Sequence, residues 1–106
     1  MAKFLFEATY GPDGVSGLVG QGAKRRVAVV KATVKQLGGK VEAFYFAFGP
    51  VDAYLILDLP DAAAANALAL AINQSGTVSV TTTVLLTADD VDEAISRNVT
   101  YSPPEP

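Results

Sequence analysis

Polar and apolar positions alternate with a period of two in several stretches of the chain, and stretches with a helical period lie between them. In KFLFEATY (3–10), Phe4, Phe6, Ala8 and Tyr10 fall on one side and Lys3, Leu5, Glu7 and Thr9 on the other, which predicts a strand. GPDG (11–14) reads as a turn. From Val15 to Leu37 the apolar residues Leu18, Val27, Val30, Val34 and Leu37 recur at helical spacing, and Gly38-Gly39 stops that helix as a C-terminal cap. VEAFYFAFG (41–49) and VDAYLILDL (51–59) read as two strands meeting at a Gly49-Pro50 turn. Asp61 is placed to N-cap a second helix. Its stripe of Ala64, Ala67, Leu68, Ala71 and Ile72 is built from small residues that allow close packing on a sheet, and Gly76 ends it. The β-branched run TVSVTTTVLL (77–86) predicts a last strand. Thr87 followed by Asp90 has the spacing of a capping box for a short helix over 88–97.

The order strand, helix, strand, strand, helix, strand, short helix is satisfied by an α+β, ferredoxin-like βαββαβ arrangement: an antiparallel four-stranded sheet with helices on one face. One domain over 1–97 is expected, with a disordered C-terminal tail over 98–106 that ends in SPPEP. Such a sheet covers one face with its own helices and leaves the other wet. Here neither face is cleanly polar. Phe44, Phe46 and Phe48 oppose Val41, Ala43, Tyr45 and Ala47; Ala53, Leu55, Leu57 and Leu59 oppose Asp52, Tyr54, Ile56 and Asp58. A second apolar face on a small domain marks an interaction surface, and stacking on a second copy about a two-fold axis is the simplest cover.

Composition narrows the chemistry. Half of the 106 residues are apolar and 18% are charged, as in a folded globular domain with one core. The chain has neither cysteine nor histidine, which removes disulfides, thiol nucleophiles, the commonest metal ligand and the usual general base. No metal site and no cofactor is therefore expected. The formal charge of −3 opposes a polyphosphate partner. Every apolar run is broken by Lys, Asp or Gly before it could span a bilayer, and the N-terminus does not read as a signal peptide, so a cytoplasmic protein with no membrane partner is the expectation.

The candidate site centres on Asp52 at the hairpin, beside Gly49. Its carboxylate would either bond backbone N–H groups of the turn or stand at the mouth of a cleft between sheet and helices as a base or acceptor. Asp52, Tyr54 and Asp58 share a strand face in this reading, and Tyr45 would orient a small apolar or carbonyl-bearing ligand. The ligand-binding candidates are thus Asp52, Tyr54, Tyr45 and Gly49; no catalytic residue is assigned. GVSGLVGQGAKRR (14–26) lacks both the dinucleotide and the P-loop pattern and reads as a glycine-rich segment with a solvated basic patch. Asp89, Asp90, Asp92 and Glu93 lack the glycine and the alternation of a calcium loop and read as a solvated helix start. Single-stranded RNA binding would need Phe4, Phe6, Phe44 and Phe46 on the open face as a stacking platform.

Several segments agree, in order, with a known family. Lys3-Phe4-Leu5, the run from Gly38 to Gly49, Asp58-Leu59-Pro60-Asp61 and the run from Val80 to Thr87 resemble the GYD-domain family over residues 3 to 95. That family is similar to the dimeric α+β barrels, which are stacked ferredoxin-like dimers and include cofactor-free monooxygenases and lactone isomerases. The resemblance implies a homodimer with a cleft for a small molecule, with cofactor-free proton transfer or oxygenation as its chemistry if it is an enzyme. The alternative is a non-catalytic assembly protein whose apolar sheet is only a dimer interface. Of the residues that name the family, Gly49 and Asp52 match, and Val51 stands where tyrosine is expected.

Overall fold

The alternating N-terminal stretch forms β1 (Ala2–Tyr10), one of the two inner strands of a four-stranded sheet. The remaining elements are α1 (Pro12–Gln21), α2 (Ala23–Gln36), β2 (Lys40–Phe46), β3 (Ala53–Leu59), α3 (Ala62–Ser75), β4 (Val78–Leu85) and α4 (Ala88–Ser96), in a computed structural model describing residues 1–106. The sheet order is β2-β3-β1-β4, and all three pairings are antiparallel. The arrangement is α+β and compatible with the expected ferredoxin-like fold.

The inward side chains Phe4, Phe6 and Ala8 of β1 and Ala53, Leu55, Leu57 and Leu59 of β3 form one buried cluster with Val30 and Val34 of α2 and Ala65 and Leu68 of α3. The helices therefore cover the face that carries Phe4 and Phe6. Hydrophobic burial against α2 and α3 is the main favourable term, since each fully buried Leu or Phe side chain contributes roughly 1.5–3 kcal/mol.

Helix ends behave as their sequences require. Asp61 Oδ1 accepts the N–H of Ala64 at 2.9 Å, and Gly76 closes α3 in the left-handed region at φ 77°. At the end of α2, the N–H of Gly39 donates to Val34 O and that of Gly38 to Lys35 O, the paired bonds of a Schellman motif, with Gly38 at φ 78°. Thr87 and Asp90 form the expected reciprocal capping box on α4.

Four expectations are corrected. The helix expected over 15–37 is two helices, because Gly22 adopts φ 89° and ψ 155°, a region open almost only to glycine. GPDG is not a free turn: Gly11 caps α1, Pro12 takes its first turn, where no N–H is needed, and Asp13 faces the positive helix end. The second strand ends at Phe46 rather than 49 and carries an extra residue, since Val41 pairs with Leu57 but Ala43 with Ile56. That bulge brings Val41 to the core side with Phe44 and turns Glu42 outward, whereas strict alternation would oppose Val41 to Phe44. In α3 the inward side chains are Ala64, Ala65, Leu68, Ala69 and Ile72, so Ala64, Leu68 and Ile72 of the expected stripe face the core while Ala67 and Ala71 are exposed.

Gly39 is pressed against β3, so a Cβ there would run into Asp58 O and lie 2.6 Å from Leu59 Cδ2, whereas one at Gly17 meets nothing within 4 Å. Gly39→Ala is expected to lower unfolding stability in urea by roughly 1–3 kcal/mol through overpacking. Gly17→Ala, in open helix, should instead raise it by roughly 0.5–1 kcal/mol. Equal effects of the two would refute this packing account.

Candidate functional site

The hairpin between β2 and β3 is a six-residue loop, closed by Ala47 N–H donating to Asp52 O at 2.7 Å. Phe48, Gly49 and Pro50 are exposed at its tip, and Phe48, expected on the strand face of Phe44 and Phe46, projects fully into solvent at 99% exposure. Asp52 lies just before β3, outside its pleat, so its side chain is released from strand alternation. Its own N–H donates to Ala8 O at 2.9 Å, and its Oδ2 accepts the N–H of Tyr10 at 2.7 Å. Beyond the last registered pair, Ala8 with Ala53, the carboxylate thus supplies the acceptor that a further strand residue would have given Tyr10.

Asp52 also borders a hollow on the helix side of the sheet, with Tyr10, Val15, Leu18, Phe46 and Ala47. Tyr54 and Tyr45, by contrast, are register partners on the opposite, outer face. The expected convergence of Asp52 with Tyr54 and Asp58 does not occur: Tyr45 meets Tyr54, Asp52 turns to β1, and Gly49 stays at the loop tip.

Between the sheet and α2 and α3 runs an apolar cleft of about 370 Å³ including its mouth, lined among others by Phe6, Phe44, Leu55, Leu68 and Val80. Of its twelve lining residues only Arg26 is charged, and only about 20 Å³ is open to a water, so the walls must part before anything larger enters. Arg26 and Tyr10 also border a polar hollow beneath α1, with Asp13, Gln21 and Thr77. Arg26, half-buried, borders both spaces and makes no ion pair or side-chain hydrogen bond. Sequence reasoning grouped Arg26 with Lys24 and Arg25 as solvated. Its spacing of four from Val30 was the available signal, since it places Arg26 beside the buried face of α2.

No element of the chain covers the outer sheet face. A row of Ala43, Ile56, Leu5 and Thr83 crosses all four strands at matched register. At one end, Lys3 Nζ donates to Asp58 Oδ1 at 2.8 Å and to Glu42 Oε2 at 2.9 Å. Asp58 is buried at 7% exposure, so this contact satisfies a carboxylate that strand geometry has withdrawn from water. Hydrogen bonding by Asp58, then by Glu42, raises the Lys3 ammonium above its ordinary value of 10.5. The aromatic platform required for RNA is absent from this face: Phe4 and Phe6 are buried beneath the helices, and Phe44 and Phe46 lie on the same inner side. No group of His, Cys, Asp and Glu is arranged to hold a metal ion, and no helix is long and apolar enough to cross a membrane.

Two expectations follow for these contacts. Asp52→Ala should cost about 1–3 kcal/mol in chemical unfolding, because the Tyr10 N–H loses its acceptor. Asp52→Asn, which keeps an acceptor oxygen, should lose less than half of that; a loss as large as that of alanine would show that the carboxylate's charge matters instead. For Lys3, a folded value raised above 10.5 gives a stabilisation that is complete below that pH and disappears as the pH climbs beyond it. The stability gap between wild type and Lys3→Met should hold constant from about pH 6 to 9 and narrow at higher pH. A gap that ignores pH would assign the effect to packing of the lysine stem.

Among curated proteins and solved structures, none matches the chain significantly. The family model of the GYD domain matches residues 4–95, from the first inward phenylalanine of β1 to the last apolar residue of α4. That span covers every element but the first two residues of β1 and the last residue of α4, and on it the chain belongs to the GYD domain family.

Proposed function

We propose that the protein is a homodimeric binding module, two copies stacked through their outer sheet faces, that holds a small apolar molecule bearing a carboxylate or carbonyl oxygen. The observation that carries the ligand reading is Arg26: the one charged residue, without an ion pair, lining a cleft otherwise made of aliphatic and aromatic residues. An apolar body would enter between Phe44, Leu55 and Leu68, and its oxygen would meet Arg26, with the Tyr10 side chain alongside. The break at Gly22 separates α1 from α2 and gives the cleft a point at which it can open.

The outer face supports the dimer. An apolar row through Leu5 and Ile56, with Tyr45 and Tyr54 beside it and the Lys3, Asp58 and Glu42 cluster at its margin, has the apolar centre and polar rim of a protein interface. The reading is binding rather than turnover: no acid lines the cleft, and Asp52, which borders the hollow beside Tyr10, is engaged with backbone N–H.

Calorimetric titration with a medium-chain fatty acid and with the alcohol of equal length tests the ligand reading. Wild type should bind the acid about ten- to a hundredfold more tightly than the alcohol, and Arg26→Met should abolish that preference. Wild-type binding of neither probe would overturn it. Native mass spectrometry reports the dimer separately.

A further inference from the structure

The polar hollow beneath α1 opens beside the same arginine that marks the apolar cleft. Asp13, Gly14, Gly17, Leu18 and Gln21 line it from one side of the helix, at spacings that share a helical face. Two of the five are glycines, and they act differently. The N–H of Gly11 donates to Thr77 O at 2.9 Å, and a Cβ on Gly14 would run into that same oxygen, so this end of α1 is pinned to the approach to β4. One turn on, a Cβ on Gly17 would meet nothing within 4 Å. The helix is held close at Gly14 and leaves room at Gly17. About 180 Å³ of the hollow is open to water, against about 20 Å³ of the cleft, which is space for several waters or for one small polar group.

Two opposite charges border this hollow without meeting. Asp13 stands in the first turn of α1 and Arg26 in the first turn of α2, and neither makes an ion pair. Tyr10, Arg26 and Val78 line both the hollow and the cleft, so an apolar space and a space with one positive and one negative group adjoin. That pairing of charges selects a head group. A phosphate would bring negative charge to Asp13, and a simple amine would bring positive charge to Arg26. An alcohol would leave both without a counter-charge. A head with one carboxylate and one ammonium gives each its opposite.

We propose that the ligand is an amino acid with an apolar side chain, its carboxylate on Arg26, its ammonium on Asp13 and its side chain in the cleft. This rests on the ligand reading of the preceding section and adds to it the chemical class of the head group. Gln21, whose amide both donates and accepts, borders the same hollow and serves whichever group of the head is left with a free hydrogen bond. Glycine at position 17 keeps the head's place clear, since any longer side chain there would occupy the hollow from the helix side.

The test is calorimetric titration of the full chain with three probes that share one apolar body: L-phenylalanine, 3-phenylpropanoate, which lacks the amine, and 2-phenylethylamine, which lacks the carboxylate. Wild type should bind phenylalanine on the order of tenfold more tightly than 3-phenylpropanoate, and 2-phenylethylamine most weakly of the three. Asp13→Asn should bring phenylalanine to within about twofold of 3-phenylpropanoate without weakening the latter, a selective loss that a merely structural aspartate would not produce. Gly17→Met, which fills the hollow and changes no residue of the cleft, should remove the same preference. Circular dichroism checks that both variants remain folded. Wild type that binds 3-phenylpropanoate at least as tightly as phenylalanine, or either variant with the preference intact, would overturn the amino-acid assignment and leave the carboxylate reading standing. The same holds if neither aromatic acid binds while the medium-chain fatty acid does. If none of these acids binds, both readings fall.

Discussion

Seven consecutive pairs between β1 and β3, from Ala2 opposite Leu59 to Ala8 opposite Ala53, are the constraint on which the rest of the molecule depends. Side chains on a strand alternate, so this single register decides both faces at once, and a slip of one residue would exchange them. It sends Phe4, Phe6, Leu55 and Leu57 under the helices and leaves Lys3, Leu5, Ile56 and Tyr54 outside. It also sets Lys3 directly across from Asp58, so the ion pair of the outer face is a cross-strand neighbour rather than a chance meeting. Where the register runs out, Asp52 takes over with its carboxylate.

That last contact gives a residue that looked chemical a structural part. An aspartate next to a Gly-Pro turn is ambiguous in sequence, because the same short carboxylate serves a turn, a strand end or a proton. Its partner, the Tyr10 N–H, lies 42 positions away, and nothing local announces it. Arg26 is the converse case. It sits in a run of three basic residues that reads as solvent-facing, but helical phase sets it apart from Lys24 and Arg25 and beside the cleft.

Much of the fold was legible because its signals are local. Asp61, Gly76, Gly38 and the Thr87 and Asp90 pair each act within four residues of themselves, and each does what its chemistry requires. The departures arise where periodicity is a misleading guide. Apolar spacing persists from Leu18 into Val27, although Gly22 turns the backbone between them. In β2 one extra residue at Glu42 reverses the faces for what precedes it. A period shows which side chains agree with one another and is silent about where the backbone resets. The site suffered most, since Tyr45, Tyr54 and Asp52 are close in sequence while the sheet separates the tyrosines from the hollow that Asp52 borders.

One small contact has a wider consequence. Asn73 of α3 accepts the N–H of Val80 at 2.8 Å, occupying a backbone donor on β4, the strand at one border of the sheet. At the other border, the bulge at Glu42 breaks the even spacing of β2. Both margins are thereby poor templates for an additional strand, the route by which β-proteins recruit one another into aggregates. Strands this rich in β-branched and aromatic residues invite such growth, and here a side-chain amide and one surplus residue oppose it.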